Sequence, residues 1–348
     1  MREKPAAGSD LAGPRLASDS LEGPRAESEA GRFRVAVVIP SYKVTRHVLG
    51  VIGRIGPEVE KIYVVDDCCP EHTGDMVEAQ CGDSRVRVLR HPQNLGVGGA
   101  VKTGYTQALQ DGMDVVVKVD GDGQMAPEFI PTLIKPLRLG LADYAKGNRF
   151  YNLEDVRSMP AARLFGNAVL SFMTKLSAGY WRIFDPTNGY TAIHRSALSL
   201  LPLDKVADRY FFETDLLFRL ATVRALVLDV PMTATYGDET SGLKISRILP
   251  RFLFGHFVNF SKRIVYNYFL RDFSVASLEL VLGLVLLIFS GVFGTWTWIT
   301  NVESRVATTA GTVMLAALPA ILGAQLLLSF LAADITSEPT TPLQALRE

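Results

Sequence analysis

From about residue 33 onward, short β-branched runs alternate with stretches of helical period. Residues 34–39, Arg-Val-Ala-Val-Val-Ile, closed by Pro40, read as a buried strand, and residues 61–66, 86–90 and 114–119 read as three more. Helical patterns near residues 45–54, 72–79, 97–110 and 127–137 fill the gaps with crossovers of the length that parallel strands need. Near-continuous apolar strands imply a sheet covered on both faces. The pattern therefore predicts an α/β fold with a mostly parallel sheet, whose ligands bind beyond the carboxyl ends of the strands. Pro40-Ser41-Tyr42, Asp66-Asp67 and Asp120-Gly-Asp122 all fall at such ends.

The pattern changes after residue 246. Residues 280–299 and 308–333 are uncharged and strongly apolar, each long enough for the roughly 20 residues a membrane helix requires. A short loop joins them, which predicts a helical hairpin, and Trp296 and Trp298 suit an interfacial anchor. Between residues 247 and 272 aromatic and aliphatic side chains are interleaved with Arg251, Lys262, Arg263 and Arg271, a pattern suited to the membrane surface. This cationic excess precedes the first span, so the positive-inside rule predicts a cytoplasmic globular domain. Residues 1–32 are rich in Ala, Gly, Pro, Ser, Glu and Arg and are expected to be disordered. They hold no apolar signal-peptide core, which leaves insertion to the first span.

Composition removes several functions. Formal net charge is zero, with no general nucleic-acid signal. Cys68, Cys69 and Cys81 form neither a metal-spaced set nor a disulfide framework. The five histidines are scattered without ligand spacing, and no Ser/His/Asp signature appears. Asp120 and Asp122, two apart at the end of an apolar run, are the strongest chemical feature. On an extended segment both face the same way and suit Mg²⁺ or Mn²⁺ shared with phosphate oxygens, although Asp-Gly pairs also serve as turns. The glycine-rich stretch from Gly96 to Gly104 lacks the Gly-Lys-Ser/Thr spacing of a phosphate loop, and its small residues suit close approach of a helix to the sheet.

Four segments in register carry a family resemblance: Val38-Ile-Pro-Ser-Tyr42, Val64-Val-Asp-Asp67, Asn94-Leu-Gly-Val-Gly-Gly-Ala100 and Asp120-Gly-Asp-Gly-Gln124. Together they resemble family 2 glycosyltransferases of the GT-A fold, and within them the polyprenyl-phosphate group of dolichyl-phosphate mannose synthases and bactoprenol glucosyltransferases. The resemblance implies that Asp67 binds the nucleoside in a pocket walled by Pro40 and Tyr42, and that Asp120, Asp122 and Gln124 bind the metal. It implies that Arg149, Arg163 and Asn167 hold the acceptor phosphate; Arg163 and Asn167, four apart on a helical stretch, share a face. It also implies that Asp185 and Glu213 line the acceptor side. A phosphate nucleophile is already ionised, so these two carboxylates can position groups rather than remove a proton. Lys244 is the candidate for leaving-group contact, in a segment that lacks the arginine common at its start and carries Asp238 and Glu239 instead.

The resulting expectation divides the chain into a tail (1–32), a GT-A domain (33–246), interfacial helices (247–274), two membrane helices (275–335) and a C-terminal tail (336–348). Its function would be inverting, metal-dependent transfer of a hexose from UDP-glucose or GDP-mannose to polyprenyl phosphate at the cytoplasmic membrane face. A processive polysaccharide synthase and a noncatalytic membrane scaffold are the rivals. The first lacks its Gln-x-x-Arg-Trp segment here, and intact metal aspartates argue against the second. Association of copies through the spans has no clear Gly-x-x-x-Gly face to support it.

Overall fold

The computed structural model describes residues 33–151, 161–233 and 245–346, leaving out the side chains of residues 161–163 and 245–248. The expectations for residues 1–32 and for Lys244 lie outside the described residues.

Seven strands form one sheet in the order β3-β2-β1-β4-β6-β5-β7. β1 (Val35–Ser41), β2 (Val59–Asp66), β3 (Val86–Arg90) and β4 (Val115–Lys118) pair in parallel. The crossovers are α1 (Val48–Gly53), α2 (Thr73–Gln80) and α3 (Val97–Gln110). Each of these elements falls within a few residues of its sequence pattern. α4 (Ile130–Arg138) then leads to β5 (Tyr144–Asn148), and α5 (Ala161–Ala178) precedes β6 (Thr191–His194). β6 runs antiparallel to both its neighbours, β4 and β5. Short α6 (Arg195–Leu198), then α7 (Phe212–Thr222) and β7 (Val227–Pro231) complete the domain, with β7 parallel to β5 on the edge.

Alternation along the central strands builds two cores, one on each face of the sheet. Ala36, Val38, Tyr63, Val65 and Val116 pack with α3 and α7. Val35, Val37, Ile39, Ile62, Val64, Val115 and Val117 pack with α1, α2 and α4. The glycines of α3 permit its close seating: a Cβ at Gly104 would lie 2.4 Å from Val38 Cγ1, and one at Gly98 would lie 2.3 Å from the carbonyl oxygen of Ala207.

α8 (Ile245–Val265) continues through a π-helical turn (Tyr266–Arg271) to α9 (Val275–Glu303), which pairs with α10 (Ala310–Thr336). α9 and α10 are long and apolar enough to cross a membrane, and little of either is buried within the protein. They approach closely at Gly283 and Gly323, where a Cβ on either would meet the other's carbonyl oxygen at 2.9–3.1 Å. On α8, Leu249, Leu253, Phe254 and Phe257 are exposed, in keeping with the interfacial pattern. Arg263 departs from that pattern, being 2 % exposed, because a carboxylate of α10 draws it inward.

The segment after α10 returns to the globular domain. Asp143, fully buried just before β5, accepts the N–H groups of Leu343 (2.8 Å), Gln344 (3.2 Å) and Leu226 (2.8 Å). Gln344 Nε2 donates in turn to the carbonyls of Ala142 and Leu137 at 2.6 and 3.2 Å.

Gly104→Ala should force α3 away from β1. The expected cost is about 1–3 kcal/mol, to be read as a lower unfolding midpoint of the full chain in detergent, with Gly50→Ala, a position open to solvent, as the control.

Candidate active site

The crevice lies at the carboxyl ends of β1 and β4. From β1 the chain turns toward β2, whereas β4 is flanked on its other side by β6, so the two ends diverge and leave room between them. Pro40 is the penultimate residue of β1. Tyr42, 44 % exposed, follows it with the Lys43 ammonium 5.6 Å from its ring centroid.

The paired aspartates after β2 divide their work. Asp66 caps the start of α2, with Oδ2 accepting from the Gly74 N–H at 2.6 Å and Oδ1 from the Cys69 N–H at 2.7 Å. Asp67, 2 % exposed, accepts the N–H groups of Leu95 (2.8 Å) and Gly96 (2.7 Å) and meets His91 Nδ1 at 2.7 Å. It therefore anchors the loop that opens α3.

Asp120 and Asp122 emerge just past β4. Asp122 Oδ1 accepts the Gln124 N–H at 3.0 Å, and Gly123 (φ +82°) lets the chain turn between them. Asp120 Oδ1 lies 2.8 Å from Lys118 Nζ. Lys118 in turn sits 3.6 Å from Glu213, at the start of α7, and donates to the Gly189 carbonyl at 3.2 Å. Burial opposes the charge on Lys118, but the carboxylates of Asp120 and Glu213 outweigh it and hold the ammonium protonated, with its pKa raised.

Lys118 on β4 and Lys146 on β5 both register with Thr191 of the intervening β6. Laterally paired positions share a face, so both ammonium groups emerge on the α3/α7 side of the sheet. Lys146 donates to the Asn188 carbonyl. Its pKa is lowered to about 8 by burial, offset in part by Asp185, Glu213 and Asp229.

The loop from Asp185 to Tyr190 joins these groups. Asp185, fully buried, takes a two-pronged contact from Arg149, with Nε to Oδ2 at 2.8 Å and Nη2 to Oδ1 at 3.1 Å. Asn188 Nδ2 donates to the Gly147 carbonyl at 2.8 Å, and the Tyr190 hydroxyl to the Ala126 carbonyl at 2.9 Å. Gly189 is a glycine for a steric reason: a Cβ there would lie 2.5 Å from Lys118 Nζ and 3.2 Å from Asp120 Oδ2. The structure thus brings Asp120, Glu213, Asp185 and Arg149 into one connected polar layer. Arg163 lies in the first turn of α5 with its side chain outside the described residues, and Asn167 is half-buried one turn further on.

The residues that sequence reasoning passed over are Lys118, Lys146, Gly189 and Asp229. Each lysine interrupts an apolar strand, and a charge at a doubly covered strand position must have a partner; that was the available signal. Asp229 of β7 accepts from the Phe184 N–H at 2.7 Å and from Asn148 Nδ2 at 3.1 Å. Burial raises its pKa to about 6, against the opposing effect of the Phe184 N–H.

The donor set at Asp120, Asp122 and Gln124 is all oxygen, which fits a hard divalent cation. Among the described residues no three His, Cys, Asp or Glu side chains converge to cage an ion. Two carboxylates instead leave coordination positions for oxygens of a substrate, as Mg²⁺ and Mn²⁺ sites with phosphates do.

Comparison with known proteins agrees with this architecture. A family profile described as "Glycosyl transferase family 2" matches residues 37–201. The chain is 33 % identical to the "Polyprenol monophosphomannose synthase" of Mycolicibacterium smegmatis, over 58 % of this chain and 77 % of that one. It is 31 % identical to the "Undecaprenyl-phosphate mannosyltransferase" of Micrococcus luteus, over 58 % and 83 %. It is 29 % identical to the "UDP-N-acetylglucosamine--dolichyl-phosphate N-acetylglucosaminyltransferase" of Methanococcus voltae, over 59 % and 86 %. Among solved structures, glucosyl-3-phosphoglycerate synthase from Mycobacterium tuberculosis superposes with a TM-score of 0.51 at 20 % identity, covering 66 % of this chain and 80 % of that one, and shares the fold. The chain belongs to glycosyl transferase family 2 and is a glycosyltransferase with a GT-A catalytic domain.

The buried Asp229 carboxyl gives a pH signature. Its folded pKa of about 6 stands above the ordinary carboxyl value of 3.8. Its contribution is therefore fully present below about pH 4 and is lost as pH rises through about 6. Asp229→Asn should remove that loss, so thermal unfolding midpoints of variant relative to wild type should climb between about pH 4 and about pH 7; a constant difference across that window would refute the assignment.

Proposed function

We propose that the protein transfers a hexose from a nucleotide sugar to polyprenyl phosphate at the cytoplasmic face of a membrane, with inversion at the anomeric carbon. One observation carries the reading. The Asp185–Tyr190 loop lies against Lys118 and Asp120 at one end and holds the Arg149 guanidinium at the other, so a donor diphosphate and an acceptor phosphate would meet on its two sides, in a chain that also carries two helices apolar enough to cross a membrane. The names of the M. smegmatis, M. luteus and M. voltae relatives support the same acceptor class.

In this reading Asp120, Asp122 and Gln124 would hold Mg²⁺ or Mn²⁺, which when bound supplies positive charge against the departing diphosphate. Asp67, which also secures the loop that opens α3, binds the nucleoside in a pocket walled by Pro40 and Tyr42. Lys244 contacts the leaving group. Arg149, Arg163 and Asn167 hold the acceptor phosphate, for which the planar guanidinium fork is well matched. Asp185 fixes the Arg149 fork, and Glu213 fixes Lys118 and through it Asp120. A phosphate oxygen then attacks the anomeric carbon as the bond to the nucleoside diphosphate breaks. The attacking oxygen is already anionic, so catalysis rests on positioning and charge stabilisation. GDP-mannose and UDP-glucose are the two donors proposed, with mannose favoured by the names of the two relatives above 30 % identity.

The test is transfer from labelled GDP- and UDP-sugars to polyprenyl phosphate by purified full-length protein, with Mg²⁺, Mn²⁺ or chelator. One donor should give an acid-labile glycolipid that chelation abolishes. Asp122→Asn should lower the rate about a hundredfold or more, and Arg149→Lys, which keeps the charge but loses the fork, about tenfold. No glycolipid from a folded, nucleotide-binding sample would overturn the acceptor class.

A further inference from the structure

The last turn of α10 carries Asp334, 1 % exposed. A carboxylate there meets the negative end of the helix dipole, and burial adds a desolvation cost unless the charge is paired. Four donors offset both effects. Arg263 Nη1 reaches Oδ1 at 2.6 Å and Nη2 reaches Oδ2 at 3.0 Å. The Tyr268 hydroxyl donates to Oδ1 at 2.6 Å and Trp181 Nε1 to Oδ2 at 3.0 Å.

Arg263 also donates to the Leu176 carbonyl of α5, from Nε at 3.1 Å and Nη2 at 2.8 Å. Gly179, at φ +83°, makes room for it: a Cβ there would lie 3.0 Å from Nη1. The residues after α10 extend the contact. Glu338 accepts the N–H groups of Trp181 and Arg182, and the Ser337 carbonyl accepts from Arg224 Nη1 at 2.7 Å.

We propose that this clasp, centred on Asp334 and Arg263, is the positioning device that holds the acceptor end of the site at a fixed height and orientation over the bilayer. The proposal rests on the polyprenyl-phosphate reading above. The segment gripped, from Leu176 to Arg182, runs from the last turn of the helix that carries Arg163 and Asn167 toward the loop whose Asp185 holds Arg149. Opposite it, the grip falls on the end of the helical hairpin nearest the catalytic domain. An apolar junction of equal area would hold the two parts together yet permit them to turn or slide. Directional, charge-assisted bonds to both carboxylate oxygens admit one arrangement. Asp334 and Arg263 act through the elements they join, so they are positioning residues.

The test compares two acceptors for full-length protein reconstituted in phospholipid vesicles: a long-chain polyprenyl phosphate embedded in the bilayer, and a short-chain prenyl phosphate that reaches the site from solution. Asp334→Asn and the milder Trp181→Phe, which removes one donor and keeps the ring bulk, are measured beside wild type. With the embedded acceptor kcat/KM should fall about tenfold for Asp334→Asn and less for Trp181→Phe, while the soluble acceptor is turned over at the wild-type rate. An equal fall on both acceptors, or no fall on either, would overturn the clasp as a positioning device. Should Asp334→Asn fail to fold, the ratio measured for Trp181→Phe decides. A wild type that glycosylates neither phosphate overturns the acceptor reading and the clasp with it.

Discussion

Two ammonium groups inside the sheet organise the carboxyl edge of this protein. Lys118 and Lys146 lie on one face, separated by a single strand, where neither water nor apolar packing can accommodate an unpaired charge. Their needs bring the Asp185–Tyr190 loop down onto the strand ends, since the carbonyls of Asn188 and Gly189 are their nearest neutral acceptors. The carboxylates of Asp120 and Glu213 are drawn to Lys118 for the same reason. The polar layer beneath the crevice is thus set by charge pairing in a medium where such pairs are strong, before any substrate arrives.

This layer also explains why Asp120, just past β4, and Arg149, just past β5, form a unit. Lys118 links Asp120 to the Gly189 carbonyl, and four residues earlier in the loop Asp185 holds Arg149. A displacement at one end of so short a segment is felt at the other. The antiparallel β6 makes this possible. It enters the sheet directly after the loop, between β4 and β5, and so carries the loop to the middle of the edge.

The parts of this arrangement readable from sequence are those with a period. The strands from Val35 to Lys118 announce themselves by β-branched runs, and α9 and α10 by long uncharged stretches. β6 is four residues long and follows a glycine loop, too short for any period to register. Asp120 and Asp122 stood out because they are two apart in sequence. Asp185 and Arg149, or Lys118 and Glu213, meet only through the topology, so no local spacing could pair them. Lys262 and Arg263 make the same point: neighbours in one amphipathic stretch, of which Arg263 turns inward because Asp334 waits there, a partner more than one helix away in the chain. The loop contacts of Asp67 were hidden in a similar way, since its partners Leu95 and Gly96 are backbone groups whose arrival depends on the β3–α3 loop.

The strap at Asp143 sets an order of events during biogenesis. The carboxylate sits at the heart of the catalytic domain's far edge, yet two of its donors, Leu343 and Gln344, follow both apolar helices in the chain. Synthesis proceeds from the amino end, so that corner of the domain lacks these two donors, and the segment that covers it, until the chain beyond the hairpin has been made. Maturation of the globular fold is therefore tied to completion of the hairpin, and a nascent chain stalled before residue 343 would expose an unfinished edge to quality control.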